Sequence, residues 1–203
     1  MQAPKLVVFD LGKVLLDFDY GIAARRIAAR SSVSTEEVRQ FIDQSPLLAR
    51  YECGELTSAE FYQEVRRKTG FAGSLEEFGE DFADIFTEVP EIVALQSGLK
   101  RDGVRCYVFS NCSELVISFI RRRFPFFQGF DGYIFSYEHR ALKPEPRIYE
   151  ALERQSGQSL GDVLYIDDRR ENVAAGAARG WRTVLHESGP KTIQALKELG
   201  LKP

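Results

Sequence analysis

The run Leu6-Val7-Val8-Phe9, closed by Asp10, constrains this chain more than any other segment. An unbroken apolar run without polar alternation fits a strand buried on both faces, the kind found in parallel sheets covered by helices on either side. The pattern recurs: Val104–Phe109 leads into Ser110-Asn111, Asp131–Phe135 is a third short strand, Val163–Ile166 leads into Asp167-Asp168, and Arg182–Leu185 is a fifth. Helical stretches separate them, at Glu91–Arg101 (ending at Gly103), at Glu114–Phe124, after Lys143-Pro144, at Glu171–Arg179 and at Lys191–Leu199. Strands alternating with helices of about 10–15 residues read as βαβ units.

One stretch breaks that rhythm. From about Tyr20 to Thr87 the chain is helical throughout. A first helix is expected over Tyr20–Arg30, and three capping boxes mark further starts: Ser34 with Glu37, Thr57 with Glu60 and Ser74 with Glu77. Each precedes apolar residues at helical spacing, such as Val38, Phe41 and Ile42. The stretch reads as a four-helix insertion, giving an α/β core over 1–17 and 89–203 and a helical unit over 18–88. No internal repeat or low-complexity tract is visible.

Composition excludes several classes. With 44% hydrophobic residues the chain can bury a core, and a net charge of −3 argues against a generic nucleic-acid binder. No apolar run approaches the roughly 20 residues of a membrane span. The N-terminal segment reads as a first strand rather than a signal peptide. Cys53, Cys106 and Cys112 form neither an even framework nor a CxxC pair, which points to a reducing cytoplasm. His139 and His186 are too few for a histidine-rich metal site. Either a monomer or a small homo-oligomer is compatible with these features.

In open parallel α/β sheets, ligands bind beyond the carboxyl ends of the strands. The polar residues that close the apolar runs sit there: Asp10, Ser110, Asn111, Asp167 and Asp168, with Lys143 in the loop after the third strand. Three carboxylates at close range repel one another unless a cation lies among them. Oxygen-only ligands favour a hard ion, with Mg²⁺ the natural choice. A lysine beside them adds positive charge for an anionic substrate.

Four segments in this order, Asp10-Leu11-Gly12-Lys13-Val14, Phe109-Ser110-Asn111, Leu142–Tyr149 and Tyr165-Ile166-Asp167-Asp168, resemble the ordered motifs of the haloacid dehalogenase (HAD) superfamily. The wording is closest to a bacterial sugar-phosphate phosphatase branch that includes an α-D-glucose-1-phosphate phosphatase. The resemblance implies a three-layer Rossmann-like core with strand order 5-4-1-2-3, a helical cap, and Mg²⁺-dependent hydrolysis of a small phosphate ester. It also implies roles. Asp10 would be the nucleophile that becomes an aspartyl-phosphate. Asp10, the Gly12 carbonyl and Asp168 would bind Mg²⁺, with Asp167 either ligating or holding a metal-bound water. Ser110 and the Asn111 backbone would grip the phosphoryl oxygens, Lys143 would neutralise charge, and Asn172 would steady the metal-site loop.

One position departs from the pattern. Most phosphatases of this superfamily carry a second Asp two residues after the nucleophile, as general acid; here that residue is Gly12. General acid–base help is worth about 10²–10⁴-fold in rate. Its absence predicts slower turnover, a preference for good leaving groups such as a sugar anomeric phosphate, or a substitute acid, for which Asp17, Asp19, Tyr51 and Glu52 are the candidates; the rival reading is a catalytically weak phosphoryl-binding module. A haloacid dehalogenase would have no use for the acidic pair, and a signalling receiver domain would carry that pair first in the chain rather than last. Arg25, Arg26 and Arg30 are candidates for contacts with an anionic or sugar moiety.

Overall fold

β1 (Leu6–Phe9) is apolar along its whole length because both of its faces are covered. Alternate residues point to opposite sides: Val7 and Phe9 enter one apolar cluster, Leu6 and Val8 the other. The computed structural model describes residues 3–201, so the outermost residues of the expected core limits 1–17 and 89–203 lie outside the described part.

After β1 a short strand β2 (Leu16–Phe18) leads into five helices: α1 (Tyr20–Ala28), α2 (Thr35–Ile42), α3 (Pro46–Glu52), α4 (Ser58–Thr69) and α5 (Leu75–Ala83). The chain returns through β3 (Phe86–Glu88), antiparallel to β2, so the insertion enters and leaves at one two-stranded ribbon. The remainder alternates: α6 (Pro90–Arg101), β4 (Arg105–Ser110), α7 (Glu114–Arg123), β5 (Gly132–Phe135), α8 (Ser136–His139), α9 (Pro146–Ser156), β6 (Val163–Asp167), α10 (Arg170–Ala178), β7 (Arg182–Leu185) and α11 (Gly189–Glu198).

All three capping boxes form, at the starts of α2, α4 and α5. The expectation of four inserted helices needs correction, since α3 is a fifth. It has seven residues, too few to show a helical period, and its start lacks the Glu of a capping box. Its signals are local: Ser45 accepts from the Leu48 N–H at 3.0 Å, and Pro46 sits at the first helical position, where a missing N–H costs nothing.

The sheet runs β5-β4-β1-β6-β7, all parallel. Counting only these strands in chain order, from the β7 edge, this is the expected 5-4-1-2-3. The β2–β3 ribbon is additional and was not foreseen, because each of its strands has only three residues. β1 pairs β4 on one side and β6 on the other, and this crossover point is where such sheets open a crevice. Register sets Phe9 opposite Ile166, so Asp10 and Asp167, the next residues, emerge level with each other.

Two sets of contacts hold the inserted helices over that crevice. The Arg122 guanidinium on α7 meets Glu80 on α5 at 2.5 Å. The Tyr51 hydroxyl accepts from the Leu115 N–H at 3.2 Å, and Ser58 Oγ donates to Glu114 at 2.6 Å.

Candidate active site

Asp10 follows the last residue of β1, with its N–H donating to the Ile166 carbonyl at 2.9 Å. Its Oδ1 accepts from the Leu11 N–H at 2.7 Å and from Lys143 Nζ at 2.9 Å. Among the described residues no donor meets Oδ2, which is left for chemistry. Burial pushes the Asp10 carboxyl up, to about 7, against the pull of Lys143.

Lys143 is almost sealed from solvent. Its ammonium reaches Asp10, Asp167 Oδ2 at 2.7 Å and the Phe109 carbonyl at 2.9 Å, saturating its three protons. Burial disfavours that charge, but Asp10 and Asp167 hold it well above its ordinary value. Asn111 positions the lysine backbone: its Oδ1 accepts from the Lys143 N–H at 2.8 Å and its Nδ2 donates to the Lys143 carbonyl at 3.1 Å. The Asn111 side chain thus splints two loops together, a use that a single sequence does not reveal.

Asp167 is fully buried and its oxygens are occupied. Oδ2 accepts from Lys143 and the Tyr165 hydroxyl, and Oδ1 from the Arg169 N–H at 2.8 Å; Asn172 Nδ2 lies 3.1 and 3.2 Å from the two. Burial opposes its charge, yet Lys143 and these donors hold it below the usual carboxylate range. Asp168 is half-exposed and pushed up by burial and by Asp167.

The carboxylates of Asp10, Asp167 and Asp168 offer oxygens that lie within 4.8 Å of one another. Asn172 Oδ1, buried beside them, has no hydrogen-bond donor. Three close anions and an unsatisfied oxygen form a hard donor set that fits a divalent cation. Gly12 lies beside the cluster, and its Cα approaches Phe18 so closely that an added Cβ would sit 2.8 Å from the Phe18 ring.

These residues floor a cavity of about 630 Å³. Asp10, Gly12, Ser110, Asn111, Lys143 and Asp168 line it from the sheet; Phe18, Tyr20, Leu48 and Glu52 are among those that line it from the inserted segment. Of the residues expected to act as nucleophile, phosphate grip or metal ligand, all but Asp167 reach this wall; of the candidate acids only Glu52 does. Asp167 lies directly behind the wall, bonded to Lys143. Arg25, Arg26 and Arg30 do not reach it: they pair with Asp19, Asp84 and Glu77, inside the insertion. Tyr20, Leu48 and Arg169 went unforeseen, because only three-dimensional packing brings them to the cavity.

A parallel sheet with an acidic cluster at its crossover point, covered by a helical insertion after the first strand, defines a class of capped α/β hydrolases. The chain belongs to the haloacid dehalogenase-like hydrolase family, whose model matches residues 4–180. It is 25% identical over 199 residues to a D-ribitol-5-phosphate phosphatase of Bacteroides thetaiotaomicron, covering 95% of this chain and 96% of the relative. It is 27% identical over 188 residues to phosphoglycolate phosphatase 1 of Pseudomonas aeruginosa, covering 89% of this chain and 68% of the relative. The fold matches the crystal structure of a HAD family enzyme from Bacteroides thetaiotaomicron in complex with magnesium and inorganic phosphate, with a TM-score of 0.82 and 22% identity over 92% of this chain and 96% of that one.

Proposed function

We propose that this protein is a phosphatase that hydrolyses small phosphomonoesters of the sugar or polyol phosphate class through an aspartyl-phosphate on Asp10. One observation carries the reading: Asp10, whose Oδ2 meets no donor among the described residues, lines a cavity together with a buried lysine and a second acidic group. The phosphatase names of the two relatives support it.

In this reading Asp10 Oδ2 attacks phosphorus while Lys143 and the Leu11 N–H hold Oδ1 in place. The Ser110 hydroxyl and the Asn111 backbone receive the phosphoryl oxygens, and the Lys143 charge offsets their repulsion from Asp10. Asp10, Asp168 and the Gly12 carbonyl would hold Mg²⁺, which when bound supplies positive charge for the meeting of two anions. Asp167 acts by fixing Lys143. The segment 18–88 serves as a cap that excludes water from the cavity. The three unpaired cysteines favour a reducing cytoplasmic setting.

The test is hydrolysis of nitrophenyl phosphate and a panel of sugar and polyol phosphates, with and without Mg²⁺, beside Asp10→Asn. Magnesium-dependent release of phosphate that disappears in the variant is expected. Unchanged release by Asp10→Asn would overturn the assignment. The phenyl ring crowding Gly12 favours a second reading, a phosphoryl-binding module without turnover. Ligand-dependent stabilisation by phosphate without hydrolysis of any ester would mark that outcome.

A further inference from the structure

We propose that Glu52, carried on the cap by α3, is the acid–base residue of this site, doing the work that Gly12 cannot. The inference rests on the phosphatase reading above. It begins from the residues able to hold a transferable proton near Asp10. Asp17 is exposed and engaged by Lys13 Nζ at 2.5 Å and the Phe18 N–H at 2.8 Å. Asp19 caps α1, accepting from the Gly21 N–H at 2.7 Å. The Tyr51 hydroxyl is shared between Ser58 and Leu115. None of these three lines the cavity. Asp43 does, but Arg39 Nε holds it at 2.9 Å. The Tyr20 phenol and Cys112 thiol also reach the wall, and burial keeps both protonated far above neutrality, too weak to exchange a proton in turnover.

Glu52 differs from all of them. It lines the same cavity as Asp10, and among the described residues its carboxyl makes no hydrogen bond or ion pair. Its backbone is fixed to the core: the Glu52 carbonyl accepts from Ser136 Oγ at 2.6 Å, and the same Oγ accepts from the Cys112 N–H at 3.0 Å. The Cys112 thiol feels the charges of both Glu52 and Asp10, and all three residues line the cavity. Burial pushes the Glu52 carboxyl up, to about 7, with Arg169 opposing, so both of its protonation states are accessible near neutrality.

The chemistry balances. Asp10 Oδ2 forms a bond to phosphorus as the bond from phosphorus to the ester oxygen breaks; that oxygen keeps the electron pair and takes the Glu52 proton, leaving as an alcohol. Water then attacks phosphorus and loses a proton to the Glu52 carboxylate. The bond from phosphorus to Asp10 breaks with its electrons returning to Asp10, and inorganic phosphate departs.

The experiment compares wild type with Glu52→Gln and Glu52→Asp, each checked for native thermal unfolding. Single-turnover phosphoryl transfer is measured from nitrophenyl phosphate, whose leaving group needs no proton, and from a polyol phosphate, whose leaving group does. In Glu52→Gln the polyol reaction is expected to fall about 10²–10⁴-fold while transfer from the aryl ester stays near wild type. Intact mass should show one phosphoryl group accumulating on the variant, because the second step lacks its base. Glu52→Asp should recover part of the polyol rate. Equal losses on both esters, or no loss on either, would overturn the role of Glu52. Wild type that turns over neither ester, with Asp10→Asn indistinguishable from it, would instead remove the phosphatase reading itself.

Discussion

Replacing Lys143 by methionine should destabilise the fold heavily, and the size follows from its contacts. The ammonium lies 2.9 Å from Asp10 Oδ1, 2.7 Å from Asp167 Oδ2 and 2.9 Å from the Phe109 carbonyl, with a side chain only 2% exposed. Methionine refills most of the volume but leaves two buried carboxylates facing each other without a cation. Removing one partner from a buried ion pair costs roughly 3–5 kcal/mol. For a domain of this size each kcal/mol lowers Tm by about 2–4 °C, so a drop of roughly 6–20 °C is expected. Urea unfolding in EDTA, followed by the fluorescence of the sole tryptophan, is the direct assay. Trp181 reports locally, since it packs on Phe109, Tyr149 and Tyr165, and Lys143 lies over the Phe109 and Tyr165 rings. Adding Asp167→Asn removes one stranded charge, and the double-mutant cycle should show a coupling of roughly 0.5–3 kcal/mol. A Lys143→Met protein within about 1 kcal/mol of wild type, or a cycle without coupling, would refute the reasoning.

Three further outcomes are expected. Gly54→Ala should cost more than about 2 kcal/mol in urea unfolding, because Gly54 has φ +71° and an added Cβ would lie 2.2 Å from the Tyr137 carbonyl oxygen; wild-type stability would contradict this packing. Magnesium at a hundredfold excess over its dissociation constant should stabilise the wild type by about 2.7 kcal/mol, and Asp168→Asn should lose most of that increment in a thermal-shift titration; an unchanged increment would remove Asp168 from the metal site. Turnover of a polyol phosphate should fall as pH rises through about 7, because the acid form of Glu52 is the competent one and is lost in that direction. Arg169 is the charge that opposes this upward shift, while Asp10, Asp168, Lys13, Lys143 and Asp43 share the cavity. The decline should be absent in Glu52→Gln, and its persistence there would assign it to another group.

Much of this architecture was legible because strand ends announce themselves. Apolar runs that stop at Asp10, Ser110 and Asp167 predict both the buried strands and the edge where polar groups gather, and the register then sets Asp10 level with Asp167. The capping boxes were equally readable, since each is a local contact within four residues. What escaped depends on separations that one sequence does not encode. Ser136 bonds to Glu52 across 84 positions, and Asn111 splints Lys143 across 32. α3 escaped for another reason: it is too short for periodicity, and its buried Leu48 and Tyr51 acquire meaning only against neighbouring helices. Among the candidate acids, sequence could name Asp17, Asp19, Tyr51 and Glu52 but not rank them, because their ranking depends on which side chains already have partners.

Ser136 tests whether cap position and chemistry are coupled. Its hydroxyl is fully buried, accepts from the Cys112 N–H at 3.0 Å and donates to the Glu52 carbonyl at 2.6 Å. Ser136→Ala leaves a buried donor and a buried acceptor without partners, at a cost of about 1–3 kcal/mol. The cap should stay docked, since Tyr51 still meets Leu115, Ser58 still meets Glu114 and Arg122 still meets Glu80. The end of α3 loses its tether, so the Glu52 carboxyl can drift, and a displacement near 1 Å is enough to cost about 10²-fold in a positioned reaction. The expected signature is a kcat loss on polyol phosphates much larger than on nitrophenyl phosphate, with KM little changed, because the Ser136 hydroxyl bonds to none of the residues proposed to grip the phosphoryl group, Ser110, Asn111 and Lys143. A purely structural serine would lower Tm and leave the ratio of the two kcat values at its wild-type level, and that result would separate the tether from the chemistry.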